Sequence, residues 1–303
     1  MKKASIILAA IVLAGCTLDR QNDFDTDLAL SFQPAMYMHV SAEDSDRYPA
    51  EQSFGVRIWS LPDGCLWRED SLDAEDFLPL TEATPKTDKV WAFAEETMWP
   101  SKHRLLTFMA YSPFDADGRC DVGEGVSFQG VDVVQDQTDL LYTDPIADVE
   151  KLDCGGVVTV PFKHALSCID FRVKNRVKTS EEIIIRRIEV EGVRFKGDFS
   201  SMAKPQWKLL DEESSFVFFE GFYETEHLPS DIGRKWLMMP QTLDTQVIVE
   251  YDFVTEARTS ITQTLRTVPL RTTLESGRSY TFTLSVGIDD VKFLTEIVED
   301  RFK

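Results

Sequence analysis

The sequence predicts an all-β protein, built as two antiparallel β-sandwich domains in tandem. Three observations carry this expectation. Apolar and polar residues alternate with period two over many short segments, glycine and proline punctuate the gaps, and amphipathic helices are scarce. The first segment is 28–40, where Leu28, Leu30 and Phe32 alternate and Met36, Met38 and Val40 resume. Pro34 interrupts it and marks an edge position or a break, because proline cannot donate to a ladder. A polar run, SAEDSDRYPAEQ, follows and contains Arg47. Phe54, Val56 and Ile58 then alternate around Arg57, and Pro62-Asp63-Gly64 reads as a turn. Residues 68–78 read as one short helix opened by the caps Asp70-Ser71. Further turns are expected at Asp117-Gly118, Gly155-Gly156 and Ser276-Gly277. Strands are expected at Ile169-Phe171-Val173, Ile188-Val190, Val247 to Phe253 and Tyr280 to Val286, each with one buried face.

Charge divides the chain. The 303 residues carry 32 basic and 52 acidic groups, net −20. Residues 17–150 hold 9 basic against 28 acidic groups, whereas residues 151–303 hold 21 against 24. The step sets the expected domain boundary near 150, giving an N-terminal domain over 28–150 and a C-terminal domain over 151–303. So acidic a chain is not a nucleic-acid binder, since neutralising phosphates needs clustered Lys and Arg.

The N-terminus is an export signal. Lys2 and Lys3 precede an apolar stretch from Ile6 to Leu13, too short to span a bilayer. It ends Leu13-Ala14-Gly15-Cys16, which resembles a bacterial lipobox. The resemblance implies removal of residues 1–15, with cleavage between Gly15 and Cys16 and acylation of Cys16, palmitate being the usual chain type. One acyl chain anchors only marginally, whereas two or three hold a protein on a membrane without a span. The acidic residues 16–27 suit a tether.

No catalytic motif is visible: GxSxG, HExxH, Walker and Rossmann glycine patterns are all lacking. His39, His103, His164 and His227 have no partners at metal-ligand spacing. His164 is expected to pack or hydrogen-bond beside a strand. No cofactor is called for, and the chain is not expected to be an enzyme. The stretch from Asp115 to Asp121 has calcium-loop carboxylates but lacks the twelve-residue pattern and its closing Glu, so it reads as a solvated hairpin turn. The six tryptophans are expected in cores, with a glycan platform as the alternative use. Besides Cys16 there are Cys65, Cys120, Cys154 and Cys168. Pairing as Cys65–Cys120 and Cys154–Cys168 and four free thiols are equal alternatives.

Several segments together resemble the fimbrillin family of Bacteroidetes surface lipoproteins, the subunits of type V pili. They are Phe54-Gly55-Val56, Met98-Trp99-Pro100, Leu106 to Pro113, Gln137 to Leu141, Val160 to Ser167, Leu237 to Gln241 and Leu274 to Tyr280. No single segment is specific; their order along nearly the whole mature chain carries the resemblance. It implies two transthyretin-like sandwiches, anchoring in outer-membrane lipid through Cys16, and cleavage in the first domain by an Arg-specific, trypsin-like protease. The N-terminal strand is then lost, and a strand from a neighbouring fimbrial subunit replaces it. The C-terminal segment Val291 to Lys303 is the donor by the same resemblance. Adhesion implies a receptor on a host or bacterial surface. Arg47, with cleavage before Tyr48, is the candidate processing site, because Arg20 would free only the tether and Arg57 lies inside a strand. The alternative function is a permanently anchored, glycan-binding surface lipoprotein.

Overall fold

The computed structural model describes residues 28–36, 47–87, 89–100, 105–178, 180–255 and 261–299. Gly15, Cys16 and the tether lie outside these residues. The first part of the chain forms β1 (Ser31–Met36), β2 (Phe54–Ser60), β3 (Glu75–Thr87), β4 (Val90–Ala92), β5 (Leu106–Ser112), β6 (Arg119–Asp121), β7 (Gly125–Asp132), β8 (Leu141–Tyr142), β9 (Ile146–Val149) and β10 (Val157–His164). The second part forms β11 (Ser167–Asn175), β12 (Glu182–Arg194), β13 (Lys196–Ser200), β14 (Trp207–Leu209), β15 (Glu213–Glu224), β16 (Ser230–Met238), β17 (Thr242–Val254), β18 (Ile261–Thr273), β19 (Ser279–Val286) and β20 (Val291–Glu299). The fold is nearly all-β, and each strand named above is present over its described residues.

The first sheet runs β2-β3-β4-β1-β10-β8-β5, and β5 pairs back to β2, so these strands close on themselves. Inside lies a core of Phe32, Phe54, Val56, Ile58, Trp91, Leu106, Phe108, Val160 and Phe162. Strand β5 is buried along its whole length, Thr107 and Ser112 included, so it has no solvent-facing side to alternate with. Phe108 and Ala110 belong to this core, while Met109 and Tyr111 belong to the second.

The second core fills the space between the sheets β16-β11-β19-β20 and β15-β12-β17-β18 and continues beyond them to Met109, Tyr111 and Phe128. Phe171 on β11 meets Phe218 on β15 edge-on, with ring centroids 4.7 Å apart. A fourth sheet, β14-β13-β7-β6, bridges the two parts.

Three expectations need correction. The boundary near 150 does not coincide with the strand pairing: β10, at 157–164, is built into the first sheet, and β7 pairs with β13 across the divide. The reason is packing, since Val158, Val160 and Phe162 complete the first core. Second, the pairing is not wholly antiparallel, because β1–β10 and β11–β19 run parallel. Third, residues 68–78 are not one helix. A single turn at Trp67–Asp70 gives way to a 3₁₀ turn at Ser71–Asp73, and β3 begins at Glu75. Asp70 Oδ2 accepts from the Leu66 N–H at 3.0 Å, so this carboxylate closes the turn instead of opening a helix. Pro34 takes the edge position of its two expected readings: it lies inside β1, and because β4 pairs with β1 only at Phe32, β10 alone is its hydrogen-bonded neighbour.

The stretch from Asp115 to Asp121 turns through Phe114–Ala116, takes a left-handed conformation at Asp117 and enters the β6–β7 hairpin. Its Asp121 carboxylate is engaged by Arg57 at 2.9 Å.

Candidate functional site

The site is the seat of the N-terminal strand and the junction that follows it. Leu30 and Phe32 point inward, as their alternation requires, and both are buried. Phe32 is 0 % exposed. Its ring stands edge-on to Phe54 at 5.8 Å, Phe93 at 5.2 Å and Phe108 at 6.1 Å. These edge-to-face contacts add to the area buried. The backbone is held on both sides. Ser31 to Met36 pair in parallel with Val157 to Phe162, the Leu30 N–H donates to the Thr97 carbonyl at 2.8 Å, and the Trp99 N–H donates to the Leu28 carbonyl at 2.8 Å. The Ser31 N–H donates to the Gly156 carbonyl at 2.9 Å. Gly156 has φ +84°, and a Cβ there would stand 2.9 Å from the Ala29 carbonyl oxygen, so only glycine allows this approach.

The expected strand at 28–40 is therefore present over the described residues, placed between β4 and β10. Its removal would leave a slot walled by Phe54, Phe93, Phe108, Val158, Val160 and Phe162, with unpaired backbone groups along β10.

Arg47 is exposed, whereas Tyr48 beside it is buried at 7 % exposure. The Tyr48 ring stacks on Phe162 at 5.1 Å and stands edge-on to Trp91 at 5.6 Å and Phe54 at 6.0 Å. Its hydroxyl lies 2.8 Å from Ser112 Oγ, which also accepts from Gln52 Nε2 at 2.7 Å. Burial, only partly offset by the Ser112 hydrogen bond, pushes the phenol well above its ordinary pKa and keeps it neutral. Sequence reasoning named Tyr48 only as the residue after a cut. An aromatic alone in the polar run 41–52 was the signal that it has a socket.

Arg57 sits in β2, bound to Asp76 at 2.8 Å, to Asp121 at 2.9 Å and to the Cys120 carbonyl at 2.8 Å. It lies inside a strand, as the sequence implied, and this ion-pair cluster fixes it there. His164 Nδ1 lies 2.8 Å from Asp139, the hydrogen-bonded role expected of it, and His227 is exposed. His39 and His103 lie outside the described residues. All six tryptophans are buried, and among the described residues no exposed Trp or Tyr pair forms a platform. The exposed ring of Phe222 has the Arg186 guanidinium 3.7 Å above its centroid. Strand β20 is the edge of its sheet, paired only with β19, and Leu294, Ile297 and Val298 are more than two-fifths exposed.

Cys65, Cys120, Cys154 and Cys168 are free thiols, so the unpaired alternative holds. Burial pushes Cys120 up to about 12 and Cys168 to about 11. In a chain starting at Thr17, a thiol reagent near pH 8 is expected to label Cys65 and Cys154 and to spare Cys120 and Cys168 until the protein is unfolded. Equal labelling of all four in the native state contradicts this.

Fold and site together define an all-β protein whose distinctive feature is one N-terminal strand completing a closed apolar core. Residues 69–299 match the fimbrillin-like family, and the chain belongs to that family. It is similar, at 19% identity over 134 residues, to the fimbrium subunit Fim1C of Phocaeicola vulgatus; the match covers 43% of this chain and 35% of that relative. The fold is similar to that of a fimbrial protein from Bacteroides vulgatus, with TM-score 0.71 and 15% identity over 90% of this chain and 99% of the other. A cell-adhesion candidate from Bacteroides ovatus aligns with TM-score 0.59 and 13% identity, over 92% of this chain and 98% of its own.

Proposed function

We propose that the protein is a structural and adhesive subunit of a type V pilus. It is exported as a lipoprotein on Cys16, tethered to the outer membrane through residues 16–27 and arranged as two transthyretin-like sandwiches. It is then processed after Arg47, and its N-terminal strand is replaced by a strand from another subunit. The observation that carries this reading is β1: a short strand near the start of the described residues, central to a closed core and followed by an exposed arginine. Its loss leaves apolar side chains and backbone groups uncovered together, and an added strand covers both. The reading calls for no catalytic group and no cofactor. Every tryptophan is inside, so the glycan-binding alternative has no exposed tryptophan to use.

The test is limited trypsin digestion of the mature chain, followed by sizing. A fragment starting at Tyr48 that converts to multimers on incubation is expected, with Arg47→Ala blocking both. Unchanged cutting and multimer formation in Arg47→Ala would favour a permanently anchored module.

A further inference from the structure

The proposed cut falls between an open residue and a closed one. A trypsin-like protease binds several residues in extended form on both sides of the bond it hydrolyses, so the residue after the bond must enter the enzyme's cleft. In this fold that residue is Tyr48, and its ring is seated among side chains from four strands: Phe54 on β2, Trp91 on β4, Ser112 on β5 and Phe162 on β10. The turn behind it is pinned as well. Trp91 Nε1 donates to the Gln52 carbonyl at 2.8 Å, and the Gln52 N–H donates to the Pro49 carbonyl at 3.2 Å. Exposure of Arg47 alone therefore does not make the bond available.

The socket is also joined to the strand that processing would release. Met36 at the end of β1 pairs with Phe162, and Phe162 is the ring on which Tyr48 stacks. Phe54 touches both Phe32 and Tyr48. Seating of β1 and seating of Tyr48 thus share the Phe54 ring and the β10 position of Phe162, and loosening one weakens the packing of the other.

We infer that Tyr48 is a positioning residue that governs processing: while its ring is seated, the Arg47–Tyr48 bond resists proteolysis, and cutting proceeds through a local opening that withdraws Tyr48 together with the end of β1. The step itself is hydrolysis. Water adds across the amide, leaving a carboxylate on Arg47 and an amine on Tyr48. Cutting is then slow in the intact chain and fast once β1 has begun to leave. The inference rests on Arg47 as the processed bond, but not on what the cut chain does afterwards.

The experiment follows the rate of appearance of the fragment starting at Tyr48, by intact mass, during trypsin digestion of the mature chain. A synthetic peptide of residues 41–54 gives the rate for the unprotected bond. Wild type is expected to be cut far more slowly than the peptide. Tyr48→Ala is expected to be cut about tenfold faster than wild type or more, because opening no longer has to unseat the ring. Tyr48→Phe, which keeps the ring and loses the Ser112 contact, should fall between them. Leu106→Ala, at the opposite end of β5 from Ser112, supplies a comparable loss of core without touching the socket, and its melting temperature separates local from global opening. Wild type cut as fast as the peptide overturns the inference. So does equal acceleration by Leu106→Ala and Tyr48→Ala at matched stability, or a bond that stays uncut in Tyr48→Ala. Gated cutting without later multimers leaves the inference standing and overturns the pilus reading instead.

Discussion

A chain beginning at Tyr48 is expected to lose its soluble monomeric state, and a peptide of residues 28–36 is expected to restore it. The argument starts from Phe32. Truncating a fully buried phenylalanine costs about 3–5 kcal/mol, against a total stability of about 5–15 kcal/mol for an ordinary domain. Deleting β1 removes Leu30 and the strand's backbone as well, and opens the ring of strands between β4 and β10. Val158, Val160 and Phe162 then lie along an unpaired edge, which is the arrangement that recruits a strand from any source. Size-exclusion chromatography should show multimers or loss of soluble protein. The added peptide should return the monomer and raise the melting temperature, while the same peptide carrying Phe32→Asp should do neither, since the socket of three phenylalanine rings offers that carboxylate no partner. A Tyr48-start chain that stays monomeric with the melting temperature of the full chain would show that β1 is dispensable.

Much of this was legible in the residues, and the exceptions have physical causes. Strands with one buried face announce themselves by alternation, so β2, β11, β12, β17 and β19 were placed correctly. Strand β1 was legible for the same reason, but its neighbours were not. A parallel partner such as β10 lies more than a hundred residues away, and nothing in the alternation of Phe32 says which strand closes beside it. The charge step near 150 misled for a related reason: charge follows the surface, whereas the sheets follow packing, and β10 was needed inside the first core. Residues 68–78 break after one helical turn, where Asp70 bonds back to the Leu66 N–H and Glu75 already begins β3, a local geometry that residue type alone does not give away. The seat of Tyr48 is hard to read because a polar run has the composition of a loop throughout, and one aromatic is the whole of its signal.

Removing residues 291–303 is expected to abolish multimer formation after cutting while leaving a folded chain that still accepts a strand. Strand β20 is bonded on one side only, and its pairing with β19 slips between Thr283 and Leu284 because Leu294 is an extra residue on the β20 side. That bulge is also why the segment alternates poorly in sequence. Drawn straight, Val291, Phe293, Thr295 and Ile297 recur with the spacing of Leu30, Phe32, Pro34 and Met36, so Phe293 can take the seat of Phe32. The native attachment is weaker than that of β1: Leu294, Ile297 and Val298 stand 48%, 41% and 43% exposed, while Phe32 is wholly enclosed. A strand leaving the first place for the second gains cover for its apolar residues and hydrogen bonds on two sides. The truncated chain, cut after Arg47 and mixed with full-length cut chain, should shorten the multimers in proportion to its share, because it can be added to but cannot add. The peptide of residues 28–36 should still bind it, which separates loss of the donor from loss of the fold. Multimers of undiminished length from the truncated chain alone would place the donor elsewhere in the sequence.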